Sequence, residues 1–317
     1  MPGQLERVVG HPNYSYGGTE GDYIPVLYGK QLLIEYLERA VVPGITNHDY
    51  EGDIKDQGDS VIISALPEVA IEDHERGAAV GTYEQLVGSS QTLEINYAKK
   101  YKFVVDVIDA KQARFVLAPK FLMKAEYAME MAIDTHWFSI TRADADSSNQ
   151  GNTAGADSAM YSLGVTSSAP KVLTSDNVLD WIADIATVLS EQSVPEDDER
   201  WMALPPWVTN LIDQSALQDA GYSGKGMSLM YKNRWKGRLK GFNIHQTMSS
   251  YKATVNSKSE FSVLAGHKPA VTFATQLVRS DKLQDAQIWG DLYRGLQVYG
   301  FKTVEGKGLT LTIAVSS

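Results

Sequence analysis

Residues 51–108 constrain this chain more than any other part of it. Asp59 to Leu66 reads as a strand stopped by Pro67, and a long polar stretch follows from Glu68 to Ser90. Leu93, Ile95 and Tyr97 then alternate with Thr92, Glu94 and Asn96, and Phe103, Val105 and Val107 continue the extended pattern. A period of two is that of a half-buried strand. The segment is therefore a two-limbed β excursion with too little apolar area to fold alone, since two isolated strands are marginal in water. It needs a second surface. The N-terminus shows the same dependence: residues 1–25 hold Gly17-Gly18, Gly21 and three tyrosines with little periodicity. Such an arm takes its order from a neighbour.

Helical spacing recurs at Leu32, Leu33, Tyr36, Leu37 and Ala40, giving one short helix over Tyr28–Val42 that Pro43-Gly44 ends. Residues 119–142 predict the longest helix, roughly 35 Å, with Leu122, Ala125, Met129, Ala132, Ile133 and Ile140 on one side. Pro119 stands in its first turn, where a missing N–H costs nothing. Residues 144–173 are rich in Asp, Ser, Gly and Ala without periodicity, which predicts a flexible loop or a domain boundary. Ser175 is placed to cap a helix carrying Val178, Leu179, Ile182, Ile185, Ala186 and Leu189, closed off by Pro195. Met202-Ala203-Leu204 reads as a strand, and Pro206 opens a helix running to Gly221. Leu309, Leu311, Ile313 and Val315 alternate with Thr310, Thr312, Ala314 and Ser316, so a strand closes the chain. Helices and strands come in blocks, which is the α+β pattern.

Little in the chain points to catalysis. There is no cysteine, which excludes disulfides, thiolate metal sites and cysteine nucleophiles. No GxSxG, HExxH or phosphate-loop motif occurs; Gly221-Tyr222-Ser223-Gly224-Lys225-Gly226 lacks the Ser or Thr that must follow the lysine and reads as a turn. The acidic run Asp49, Glu51, Asp53, Asp56, Asp59 has Ile54 where a calcium loop needs glycine. His11, His48, His74, His136, His245 and His267 fall at no ligand spacing. No catalytic, cofactor or metal site is expected, and the chain is expected not to be an enzyme. The opening Met1-Pro2-Gly3-Gln4-Leu5-Glu6 lacks the flank and apolar stretch of an export signal, and no window reaches a membrane span.

Charge is distributed unevenly. The net charge is −10, against general attraction to nucleic acid. Between residues 144 and 200 only Lys171 and Arg200 are basic, whereas 222–258 contains no acidic residue at all. Tyr222, Tyr231, Trp235 and Phe242 are interleaved there with Lys232, Arg234, Lys236, Arg238 and Lys240, a mixture able to stack on and neutralise a single nucleic-acid strand. The competing expectation is pairing of Lys232, Arg234 and Lys236 with Asp197, Asp198 and Glu199 of an identical neighbour, repeated head to tail.

The order of these features resembles the major capsid proteins of tailed bacteriophages with the Hong Kong 97 fold, over most of the chain from Tyr28 onward. Ser89 to Asp109 looks like that family's returning E-loop strand, and Arg200-Trp201-Met202-Ala203-Leu204-Pro205-Pro206 is similar to its A-domain strand and helix. Gly241-Phe242-Asn243-Ile244, Ala265-Gly266-His267 and Tyr293 to Val304 resemble its later blocks. The resemblance implies an α+β subunit with an N-arm and short helix (1–50), an E-loop hairpin (51–108), the spine helix of a P domain (109–144), an A domain (145–255) and a return to the P domain (256–317). It implies an E-loop laid across the adjacent subunit, with Val61, Ile63, Leu93, Ile95 and Tyr97 offering apolar contact. The implied partners are further copies in hexamers and pentamers, a separate scaffolding protein, a portal protein, a decoration protein in some relatives, and double-stranded DNA held without sequence-specific contact. No cofactor and no membrane are implied, and the implied location is the virion capsid after assembly in the host cytoplasm. An encapsulin-type shell around protein cargo is the alternative, and a single-strand nucleic-acid module a more distant one.

Overall fold

The computed structural model describes residues 40–50, 60–65, 89–106, 117–215, 238–255, 258–284 and 289–316, with six isolated positions between Ala65 and Ser89. The expected N-arm, most of the first helix and acidic run, the turn at Gly221 and Lys232, Arg234 and Lys236 lie outside the described residues.

In chain order the elements are a helical turn α1 (Val42–Ile45), strands β1 (Ser60–Ala65), β2 (Ser89–Glu94) and β3 (Tyr97–Asp106), the long helix α2 (Leu117–Thr141), β4 (Lys171–Leu173), α3 (Val178–Glu191), β5 (Arg200–Leu204) and α4 (Pro206–Asp213). There follow β6 (Arg238–Leu239), β7 (Phe242–Gln246), β8 (Lys252–Val255), β9 (Lys258–His267), β10 (Val271–Gln284), β11 (Gly290–Thr303) and β12 (Leu309–Ser316). Helices and strands are mixed as the α+β expectation requires. Among the described residues no helix is long and apolar enough to cross a membrane.

The strands form three sheets. The largest has seven strands, ordered β4-β12-β9-β5-β7-β6 with β8 beside β9. Its two faces are both covered, and successive side chains point to opposite faces. Met202 and Leu204 therefore join Val263, Ala265 and Ala314 under Val178, Trp181, Ile182, Ile185, Val188 and Leu189 of α3, whose spacing makes one helical stripe. Trp201 and Ala203 face the other way and meet Leu264, Leu309, Leu311, Ile313 and the second half of α2 at Ile133, Trp137 and Phe138. Double coverage explains why β5 is buried at every position and β12 at all but its last. The apolar/threonine alternation in β12 thus marks a central strand, not one with a solvent face: Thr310 and Thr312 are 1% exposed. The sheet also draws on both sides of the expected boundary at residue 255, which falls inside the β8–β9 hairpin.

Several local expectations change. Pro43 and Gly44 lie inside α1 instead of ending a helix at Val42, because Pro is tolerated in a first turn. Asn177, not Ser175, stands at the start of α3, its Oδ1 accepting the Thr174 N–H at 2.8 Å. The helix from Pro206 stops at Asp213, where Gln214 N–H returns to the Asn210 carbonyl.

Residues 144–173, expected to be a flexible loop or boundary, form an ordered loop with a 3-10 turn at Ser147–Asn149 that ends in strand β4. Buried Asn149 donates to the carbonyls of Lys307 (2.7 Å) and Leu309 (2.9 Å), and Glu191 accepts the N–H groups of Asp157 and Ser158. Buried Glu260 receives Thr166 Oγ1 at 2.7 Å and the Ser167 N–H. Gly164 has φ +84°, and a Cβ there would lie 2.5 Å from both Ile313 O and Lys171 N. Polar side-chain-to-backbone bonds replace the apolar periodicity whose absence suggested flexibility.

Candidate assembly interface

The two-limbed excursion is real but divided. β1 pairs antiparallel with β2, from Ser60↔Glu94 to Ala65↔Ser89. After a break at Ile95-Asn96 the returning limb leaves β1 and pairs as β3 with β11, which pairs in turn with β10. The result is a three-stranded sheet in which β10 and β11 are each 14 residues long. β2 crosses β11 at Gly300, where a Cβ would strike the Glu94 carbonyl. Gln91 Nε2 then donates to Val304 O at 2.8 Å. The hairpin thus runs off the Val304 end of the sheet.

This crossing decides which way the hairpin faces. Ile63, Leu93 and Ile95 are 5%, 0% and 7% exposed and pack with Ala274, Val298 and Val304 of their own chain; Val61 lies against the same cluster. Tyr97 stacks on Phe301 at 5.3 Å between ring centroids and meets His136 of α2 edge-on at 4.7 Å. The five residues expected to contact a neighbour are therefore occupied within the subunit, because the apolar stripe found its second surface on the β11 side of the same chain. The opposite face is the free one: Ile62 is 68% exposed, and after β1 in the chain Val69 and Ile71 are 63% and 96% exposed.

His136 marks the junction of hairpin limb, long helix and sheet. Its Nδ1 lies 2.8 Å from the Tyr299 hydroxyl. Burial and nearby Lys99 push the imidazole below its usual range, while burial and Tyr97 push Tyr299 up to about 12. Tyr299 therefore stays a neutral phenol. The first half of α2 lies along this sheet, with Phe121 edge-on to Phe103 at 6.2 Å. Among the described side chains of α2 the fully buried ones fall from Ile133 onward, whereas Leu122, Ala125 and Met129 are half-buried and Ala132 is exposed.

The acidic turn before β5 is engaged inside the subunit. Asp198 pairs with Arg238, and the Arg238 guanidinium also donates to the Asp197 carbonyl. His267 Nε2 lies 3.0 Å from both Asp197 oxygens and 4.0 Å from Glu199. The donor atoms of these three lie within 4.8 Å of one another, a closeness that hydrogen bonding within the exposed turn accounts for. Arg200, 1% exposed, has a role that the sequence pattern does not assign: its guanidinium donates to Pro195 O at 2.8 Å and to Ser190 Oγ at 3.1 Å, tying the last turn of α3 to the segment just beyond it. An arginine immediately before an apolar strand run was the available signal.

No protein-family model matches the chain, and no curated protein matches it by sequence. Solved structures do match in fold. A chain from Mycobacterium phage Che8 is 22% identical with a TM-score of 0.71, the match covering 93% of this chain and 97% of that one. A chain from the capsid of Cyanophage P-SCSP1u is 12% identical with a TM-score of 0.67 over 93% and 94% of the two chains. For the capsid of Ralstonia phage GP4 the values are 10%, 0.65, 95% and 97%. The architecture is thus the phage capsid fold of the Hong Kong 97 type.

Proposed function

We propose that this chain is the major capsid protein of a tailed bacteriophage, a structural subunit whose work is assembly. The observation that carries this reading is coverage in both directions: capsid chains align over nearly their whole length with nearly the whole of this one. The likeness therefore extends to the hairpin and the long sheet, parts that no compact single subunit requires. Ile62 on the free side of that hairpin, and Val69 and Ile71 in the segment after β1, present exposed apolar surface. Closing such surface against neighbours is the obligate kind of contact, which buries on the order of 2,000–5,000 Å².

Hexamers and pentamers around double-stranded DNA are the assembly this fold supports, formed with a separate scaffolding protein, a portal and, optionally, a decoration protein. Neighbour contact by the hairpin falls to Ile62, Val69 and Ile71 in place of the inward-facing set. Around the capsomer axis, half-exposed Glu199 meets Lys232, Arg234 and Lys236 of the next copy, while Asp197 and Asp198 hold the turn in shape. The role is structural, without enzymatic turnover, in the virion capsid after assembly in the host cytoplasm. Electron microscopy and sedimentation of the protein, alone and with its scaffolding partner, test this directly. Closed shells or capsomer-sized oligomers are expected; a monomer under every condition would refute the proposal.

A further inference from the structure

His136 stands where three elements meet, in surroundings unlike those of a surface imidazole. Its ring is edge-on to Tyr97 at 4.7 Å, to Phe301 at 5.8 Å and to Tyr299 at 5.9 Å between centroids. Tyr97 opens β3 directly after the break at Ile95-Asn96, where the returning limb of the hairpin joins the three-stranded sheet, and it is paired in register with Tyr299 of β11. One side chain of α2 thus touches both the root of the hairpin limb and the strand that receives it.

This contact suits a neutral imidazole. Nδ1 lies 2.8 Å from the Tyr299 hydroxyl, and in the neutral ring it either accepts the phenolic O–H or donates to its oxygen. In the cation both ring nitrogens must donate, so the phenol has to turn its hydrogen away. The phenol supplies no counter-charge, because burial and Tyr97 push its ionisation up to about 12. The charged side chain that acts on His136 is a like charge, Lys99, which alternation places on the same face of β3 as Tyr97. Asp134, two residues earlier on α2, is engaged at the segment before α1, where it accepts the Val41 N–H at 2.6 Å. Burial first and Lys99 second accordingly hold the imidazole below its usual range.

We infer that His136 is a proton-released latch between α2 and the hairpin: the neutral ring fastens the limb at Tyr97, and the imidazolium leaves the three rings for water and frees it. The packing of Leu93 and Ile95 on Ala274 is apolar and does not titrate, so acid loosens the hairpin at its root without detaching it. The consequence for a shell rests on the capsid reading: the hairpin that carries exposed Ile62 gains freedom against α2 as the medium turns acidic. The latch itself belongs to the single subunit.

Hydrogen exchange on the unassembled full chain, read against pH and corrected for the intrinsic rate of each amide, tests this. As pH falls below about 6.5, the value of a free imidazole, amides from Tyr97 to Tyr101 and around His136 should exchange faster relative to those of β9 and β12. Linkage to one proton limits the rise to about 10-fold per pH unit. His136→Gln keeps a hydrogen-bonding side chain that does not titrate, and it should remove the pH dependence. Lys99→Glu sets a counter-charge beside the ring and should weaken or reverse it, which keeps the test decisive if His136→Gln does not fold. The latch is overturned by a wild type without acid-dependent exchange at the joint, by an equal rise in β9 and β12, or by the same pH response in either variant. Slower exchange in acid would also overturn it, since the three rings would then be holding the imidazolium by cation–π attraction. Each of these leaves the capsid reading intact, whereas a subunit that never assembles refutes that reading and leaves the latch standing.

Discussion

Truncating Leu93 to alanine separates two accounts of the hairpin. Leu93 has no exposed surface and is enclosed by Ile63, Ile95 and Ala274, on a strand fixed by its crossing at Gly300. A leucine deleted from so constrained a site leaves a cavity that closes poorly, and such changes cost about 2–5 kcal/mol. A loss near 3 kcal/mol raises the fraction of time the hairpin is open by roughly 100-fold. Hydrogen exchange on the unassembled subunit is the assay. The amides of β1 and β2 should exchange about that much faster, while those of β9 and β12, in the seven-stranded sheet, should change little. Unchanged exchange at β1 and β2, together with failed assembly, would refute the reasoning: Leu93 would then act only against a neighbour.

Three further substitutions and conditions follow from the same structure. Arg200→Leu leaves the Pro195 carbonyl and Ser190 hydroxyl without their buried donor and should cost about 3 kcal/mol, read as a lower melting temperature. Gly164→Ala places a methyl against two backbone atoms at positive φ and should reduce soluble, folded protein sharply, whereas Gly151→Ala, with φ +87° and open space, should be milder. His136 and His245 are both held below the usual imidazole range by burial, with Lys99 adding to the effect at His136. The unfolded chain therefore binds the extra protons, so their stabilising contribution is complete above the ordinary histidine pKa and is lost as pH falls through their depressed values. Melting temperature should drop on acidification from neutral, and a His136→Gln variant should show a shallower drop.

The parts legible in the sequence are those with a single periodicity: α3, the two limbs of the hairpin and the strand at Met202 to Leu204 declare themselves by spacing alone. The long helix did so too, but its deepest anchors did not, because Trp137 and Phe138 sit where α2 leaves one sheet and meets another. Periodicity reports that a face is apolar without reporting what covers it. Leu93 and Ile95 illustrate the consequence: their alternation required a partner surface, and β11 of the same chain supplied it across some two hundred residues of sequence. Residues 144–173 failed for the opposite reason, since Asn149 and Glu260 organise the loop through backbone partners that no local pattern encodes.

The burial pattern also fits the proposed role, in which one chain is both a stable subunit and an incomplete one. The seven-stranded sheet is closed on both faces by helices, so it gains nothing further from a neighbour. The three-stranded sheet is covered by α2 on one side and, at its Val304 end, by the β1–β2 hairpin on the other; the rest of that second side presents charge and partly exposed leucine and valine. Stability is concentrated where assembly cannot alter it, and modest unsatisfied surface is concentrated where assembly can. Under the proposed capsid role, such a division keeps each contact weak enough to correct while a growing shell is misaligned, because exposed ion pairs contribute only about 0–1 kcal/mol each. It also sets an expectation for salt. Raising ionic strength should weaken association between subunits long before it lowers the melting temperature of a single one, since screening acts on the exposed face and not on the two enclosed cores.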